Sequence, residues 1–403
     1  MSKEFKQEVL TAFRKVSPSK IGIESKDELT KYQQSQYNLF FHKLKFPPEL
    51  FHGKKVIDFG CGTAEMDIVL ANWGASVEGF DFNDISIARA NGLKEHFGLS
   101  SQTVFSVGDI DAYPFQSGAY DISASFGVIA HVPDQENMFR RMADASRKGG
   151  FVILGYIEDS GLIQRLLHRA IVLANSDKSD SEVFRIAKAC FSEHIERSVK
   201  YGGRTADSVI NDYLVNPHYI GISTQKLLSW ASRYNLEYYS GWPNVELPFV
   251  VDSPYFKPIP KDSPVYQLYF SLLRLRWLYA QDEDSTVFGD LAQRLPKVGG
   301  DIESLLQGIN EILQARDSSE RTFNSVRNSL KEVEHGVSTL VSEVSNYINQ
   351  HLADLNGELL RVLEMIVLKA RENREFDLSQ VGGKLFRGYN GLGTSYVIFH
   401  RPS

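Results

Sequence analysis

An apolar run that ends in Asp-x-Gly-x-Gly constrains this chain more than any other feature: Lys55-Val-Ile-Asp-Phe-Gly-Cys-Gly-Thr-Ala64. Such a run reads as a buried strand that delivers the backbone into a tight turn, with glycine where a Cβ would obstruct a ligand or a strained dihedral. A helix should begin near Thr63. Ala75-Ser-Val-Glu-Gly-Phe-Asp81 and Val104-Phe-Ser-Val-Gly-Asp-Ile110 follow, so two further strand-like runs also close on a carboxylate. The dinucleotide fingerprint needs its third glycine at its own spacing. Here Ala64 stands at a different spacing, and the acidic residue ending the second run comes 23 positions after Asp58.

Alternation extends the pattern. Strands are predicted at 56–59, 76–80, 103–107, 120–125 and 151–156, with helices over 66–73, 85–96 and 135–146 and a break at Gly149-Gly150 before the fifth strand. Strands alternating with helices favour a parallel sheet whose ligand site lies beyond the C-terminal strand ends. Two amphipathic helices, 5–16 and 26–44, precede the sheet; Tyr32, Tyr37, Phe40 and Phe41 on the second either roof the sheet or close over a cofactor. Residues 162–199 read as mostly helical and basic, with Arg165, His168, Arg169, Lys188 and Arg197. That stretch is either a solvated lid or a surface for an anionic substrate.

The pattern changes after a sixth strand at 236–239. From near Asp301 the chain turns to long, polar-faced helices, and Phe323, Val326, Leu330, Val333, Val337, Leu340 and Val344 fall three and four apart on one seam. A coiled coil or a helical hairpin needs that spacing. Residues 395–399 are extended again, so the chain is expected to return to the sheet with a seventh strand. This gives a helical cap at 1–54, a core at 55–260 that includes a helical lid at 160–220, a helical insertion or coiled-coil-like hairpin at 261–386, and a terminal strand at 387–403.

Composition narrows the function classes. A formal charge of −6 argues against sequence-independent binding to long nucleic acid, without excluding RNA. Only Cys61 and Cys190 are present, too few for a disulfide framework and consistent with a reducing compartment. No signal peptide or membrane-length apolar run is visible, so a cytoplasmic location without membrane insertion is expected. There is no phosphate-binding lysine loop, no complete Ser/His/Asp signature and no tight His/Cys/Asp spacing that would specify a metal.

As an ordered set, these motifs over roughly residues 25 to 240, with the C-terminal strand, resemble the class I S-adenosylmethionine-dependent methyltransferases. The resemblance implies an α/β, Rossmann-like seven-stranded fold, here with a helical lid and a long C-terminal helical insertion before the final strand, and S-adenosyl-L-methionine as cofactor. It gives Asp58 to the methionine amino end and lets Gly60 and Gly62 approach the cofactor closely. Asp81 receives both ribose hydroxyls, whose two donors suit a carboxylate. Phe82 flanks the sugar or adenine, Asp109 and Ile110 read the adenine, and Phe126 lines the methionine region. Tyr32 is the aromatic expected to close over the cofactor.

The chemistry implied needs no metal. A sulfonium already activates its methyl group, so the protein must align an acceptor opposite the departing sulfur, and a base helps only where the acceptor loses a proton. His131, near the fourth-strand end, is the candidate base or acceptor-positioning residue. His194, Tyr213 and His218, with Arg204, would orient an oxygen acceptor or an adjoining carboxylate, or else form a hydrogen-bonded lid that excludes water. The expected reaction is methyl transfer to an oxygen or nitrogen of a small organic acceptor. A glycan, protein or RNA captured by the helical insertion is the alternative. A third reading is a cofactor-bound assembly protein without chemistry, and homo-oligomerisation through the insertion stands beside all three.

Overall fold

The computed structural model describes residues 2–15, 23–176, 179–202, 204–216, 218–244, 266, 270, 273, 300–301, 303–304, 306–309, 320–372 and 394–403. Two compact units separate, Met1–Leu278 with Arg361–Ser403, and Tyr279–Leu360.

The first unit opens with α1 (Ser2–Lys15) and α2 (Lys26–Tyr37). Ser25 caps α2 by accepting from the Glu28 N–H at 3.2 Å, and the Glu28 carboxylate accepts from the Glu24 N–H at 2.9 Å, which satisfies donors the helix start leaves open. The helix expected to reach Leu44 changes character at Asn38, where a wider π-helical turn runs to Lys43. That turn seats Phe40 edge-on to Phe51 at 5.3 Å and Trp73 at 5.6 Å, so aromatic packing overrides the regular spiral.

Then follow β1 (Lys55–Phe59), α3 (Glu65–Asn72), β2 (Ser76–Asp81), α4 (Asp84–His96), β3 (Thr103–Val107), β4 (Tyr120–Phe126), α5 (Gln135–Ala145) and β5 (Ser146–Ile157). The lid region is α6 (Leu162–Asn175), α7 (Asp180–Cys190), α8 (Ser192–Gly202) and α9 (Ala206–Ile210), closing on a π-helical turn at Asn211–Val215. After α10 (Thr224–Arg233) and β6 (Glu237–Trp242), the unit is completed by β7 (Thr394–His400).

All seven strands form one sheet in the order β3-β2-β1-β4-β5-β7-β6. The first five pair in parallel, while β7 lies antiparallel between β5 and β6. Period-two alternation divides the core between the two faces. Ile57, Phe59, Val152, Leu154, Val397 and Phe399 pack with Met138, Phe139 and Trp230 of α5 and α10. Val56, Ile122, Ile153 and Ile398 pack on the other face with Ile68 and Leu70 of α3 and with Phe40 and Phe46.

The glycine pair expected to break the chain before the fifth strand does not interrupt it. β5 runs through Gly149 and Gly150 from Ser146, and a register shift on β4 between Tyr120 and Ile122 absorbs the extra length. Gly150 is needed there, since a Cβ would stand 2.7 Å from the Asp121 carbonyl oxygen.

Within the second unit the described backbone is chiefly the part of α11 (Glu320–Glu372) that reaches Leu360. This helix is unbroken through Gly336 and Asn349. Its 53 residues extend about 80 Å at the α-helical rise. Leu330 and Val337 of the expected seam are 53% and 43% exposed. The Phe323 side chain lies outside the described residues. Among the described residues no helix is long and apolar enough to cross a membrane.

Candidate functional site

The turn after β1 sits at the C-terminal edge of the sheet. Gly60 has φ +85°, and a Cβ there would meet the Val128 methyls at 2.7 Å, so no side chain fits between this turn and the loop after β4. The N–H groups of Gly60 and Cys61 donate to the Phe80 carbonyl at 2.9 and 3.1 Å, which pins the turn to the end of β2. Asp81 is thereby aimed. Its carboxylate accepts from the Gly62 N–H at 3.1 Å and the Asn83 N–H at 2.8 Å. Burial pushes Asp81 up to about 6 even though these backbone donors favour its charge.

Asp58 alternates to the α3 side of β1, where Asp67 was not foreseen. The two carboxyls are 3% and 0% exposed, and Asp58 Oδ1 has no hydrogen-bond partner among the described residues. Burial, opposed by Asp67 and reinforced by Asp81, pushes Asp58 up to about 7. Burial and then the Asp58 charge push Asp67 well above the carboxylate range. The pair therefore retains a proton near neutrality. A buried acidic oxygen left open suits an incoming ammonium, the chemistry the resemblance gives to Asp58. Tyr32 of α2 lies on the same side, its hydroxyl pushed up by burial and by Glu65 nearby.

At the other end of the row, Asp109 and Asp111 follow β3. Lys6 of α1 reaches both, at 2.8 and 2.6 Å. Burial alone would raise Asp109, but hydrogen bonds from Lys6 and the Asp111 N–H hold it below the usual carboxylate value. Arg14 pairs with Asp84 at 2.8 Å and Asn83 donates to the Phe13 carbonyl at 3.3 Å, so α1 lies across the loops after β2 and β3. Phe82 is half-buried between these contacts, while Ile110 packs on the α5 side of the core. Position 6 carried no sequence signal, being one lysine among many.

The acceptor-side candidates fall into two linked groups. His131 Nδ1 lies 3.0 Å from the His218 carbonyl, an acceptor, and 3.2 Å from the side-chain amide nitrogen of Asn216, a donor whose amide oxygen accepts from the His218 N–H, so these contacts serve either ring tautomer. Nε2 faces Asp212 at 3.9 Å. Burial lowers His131, and Asp212 only partly offsets this, so the ring is neutral at pH 7. Asp212 is itself ion-paired to Arg204 at 3.0 Å; burial would raise it, yet Arg204, Arg165 and His131 hold it low. The His218 ring turns away from the lid, stacking on Phe5 at 3.9 Å and contacting Glu8, so His218 offers this group its carbonyl.

His194 and Tyr213 form the second group, their rings 5.5 Å apart. Both line a cavity of about 10 Å³, room for a single water, among α6, α8, α9 and the following π-helical turn, with Arg165, His168 and Phe191. Tyr219 connects the groups, its ring 4.6 Å from His131 and 3.9 Å from the Arg165 guanidinium. Phe126 closes β4 on the opposite sheet face, beside Phe40 at 6.3 Å.

Residues 50–228 match the family model described as a methyltransferase domain. A stretch of 102 residues is 32% identical to a probable tocopherol O-methyltransferase of Oryza sativa, covering 25% of this chain and 28% of that one. Over 102 residues the chain is 33% identical to a ubiquinone biosynthesis O-methyltransferase of Bordetella pertussis, covering 25% of this chain and 41% of the relative. The matched stretch is thus well under two thirds of either relative. A solved S-adenosylmethionine-dependent methyltransferase from Mesorhizobium loti is 22% identical over 28% of this chain and 52% of its own, at a TM-score of 0.26.

Proposed function

We propose, from the premise that residues 50–228 belong to the class I S-adenosylmethionine-dependent methyltransferases, that this chain methylates an oxygen or nitrogen of a small organic acceptor. The observation that carries the reading is the row of carboxylates at one sheet edge, Asp58, Asp81 and Asp109, with a neutral histidine, His131, in the turn after β4 at the same edge. Asp58 would hold the cofactor's ammonium, Asp81 its ribose hydroxyls and Asp109 its adenine amine. When bound, S-adenosylmethionine supplies an activated methyl group on a sulfonium. The lid residues around Asp212 and Tyr219 exclude water and orient the acceptor, and the His131 ring takes the acceptor's proton. The relatives support a small acceptor, since their names place them in tocopherol and ubiquinone chemistry.

The test is transfer of label from S-adenosylmethionine into a cell extract, followed by size fractionation. Label in a small molecule is the expected result; label confined to a macromolecule would overturn it. Replacing His131 with glutamine should slow single-turnover methyl transfer about 100-fold, the scale of general-base help, with little change in donor affinity. An unchanged chemical rate would remove the base from the reading.

For the helical insertion we propose self-association along α11, supported by the exposed apolar positions at heptad spacing. Leu330→Glu with Leu340→Glu should move the mass in solution to that of a monomer. An unchanged mass with the helical signal intact would rule the coil out.

A further inference from the structure

We propose that α1 is an autoinhibitory strap: Lys6 latches it onto Asp109, the carboxylate that the cofactor's adenine needs, so that cofactor binding and the docking of α1 compete for one residue. The proposal rests on the reading that gives Asp109 to the adenine amine, and it adds a regulatory element to that site.

The Lys6 ammonium lies 2.8 Å from both carboxylate oxygens of Asp109 and 2.6 Å from Asp111 Oδ2. Other donors of the chain answer the rest of this carboxylate pair. The Asp111 N–H donates to Asp109 Oδ1 at 2.9 Å, and the Asn137 side-chain amide donates to Asp111 Oδ1 at 2.9 Å. All four oxygens therefore already accept a hydrogen bond, and Asp109 Oδ2 does so from Lys6 alone among the described residues. An adenine amine is a donor seeking the same acceptor. With an ammonium spanning both oxygens, the strongest position for that donor is taken.

The docking of α1 is firm enough to persist and weak enough to yield. Phe5, Val9 and Phe13 recur every four residues and so share one face of the helix. Val9 is 2% exposed, while Phe5 and Phe13 are half-buried. The polar ties are partly solvated, with the Lys6 and Asp109 side chains 27% and 43% exposed and those of Arg14 and Asp84 43% and 57%. Ion pairs in such surroundings hold weakly. A helix of 14 residues is marginal once it leaves its packing surface. A ligand that takes Asp109 from Lys6 thus shifts α1 toward release.

The same helix covers the acceptor side. Phe13 meets the His131 ring edge-on at 5.1 Å, and Phe5 stacks on the His218 ring at 3.9 Å. Release at Asp109 therefore uncovers the proposed base in the same movement.

The experiment follows hydrogen–deuterium exchange of the α1 amides in the full chain, alone and with saturating S-adenosylmethionine, and compares the affinity of wild type and Lys6→Met by calorimetry. Cofactor should speed exchange over residues 4–14 about 10-fold, as an undocked short helix frays. Lys6→Met, which keeps the stem and removes the ammonium, should bind S-adenosylmethionine about 3- to 10-fold tighter, the scale of a partly solvated ion-pair network. Slower exchange with cofactor present would mean that α1 folds down over the ligand and would overturn the strap; this measurement uses the wild-type chain and stands even where the variant fails to fold. Equal or weaker binding by folded K6M would overturn it as well. In both cases S-adenosylmethionine still binds and the methyltransferase reading is left intact. Failure of S-adenosylmethionine to bind either chain would sink that reading, and the strap with it.

Discussion

Replacing Asp81 with alanine should weaken S-adenosylmethionine binding by about 100-fold or more, because the carboxylate proposed to accept from both ribose hydroxyls is lost. The effect is large because the carboxylate is pre-aimed: the Gly62 and Asn83 N–H groups hold it at 3.1 and 2.8 Å. The same residue makes binding depend on pH. Burial places Asp81 at about 6, above the ordinary carboxylate value. The ribose hydroxyls need the ionised form as acceptor, so its contribution is full above about 6 and falls as the pH drops through that value. Folding stability without ligand runs the other way. A folded-state value above the unfolded one stabilises the fold at low pH, and that contribution is lost as pH rises through about 6. Calorimetric titration of wild type and Asp81→Ala over this range checks both signs. An unchanged affinity in a folded variant would take Asp81 out of the site.

Phe399→Ala should cost about 3–5 kcal/mol of stability, the range for removing a fully buried phenylalanine. Phe399 is 0% exposed and meets Phe139 of α5 edge-on at 5.6 Å, so its ring joins β7 to the helix covering β4 and β5. A cavity there adjoins Trp230 and Val397, whose backbones are held in place and collapse poorly. Thermal melting followed by near-ultraviolet circular dichroism should show an earlier loss of tertiary signal. A melting temperature equal to that of the wild type would mean that β7 is not what closes this face.

The sheet was legible in the sequence because period-two and period-3.6 patterns are local, and each strand end carries its own marker. The places of Asp58, Gly60, Gly62, Asp81 and Asp109 at the strand ends were readable for that reason, and so was the return of the chain as a seventh strand beyond a helical region. The residues that were missed act across distance. Lys6 meets Asp109 from 103 positions away, and nothing in α1 singles it out. Asp67 had a signal that went unused: an acidic residue between buried Glu65 and Ile68 on an otherwise apolar helix has to be answered by something in the core. Arg165 was read only as one basic residue of a lid, because its sandwich between Tyr213 and Tyr219 depends on how α6 meets the turns that follow α9. His218 was expected to work through its ring. A tertiary contact with Phe5 took the ring away and left the carbonyl for His131.

β7 lies between β5 and β6 in the sheet, yet about 150 residues separate it from β6 in the chain. During synthesis, β5 and β6 therefore leave the ribosome long before the strand that joins them. Until then both present open edges and an apolar flank lacking Val397, Ile398 and Phe399, a state that invites chaperones or proteases. Chains that stop within the helical insertion never close this gap. Strand order thus makes the finished sheet a record that translation ran through the entire insertion.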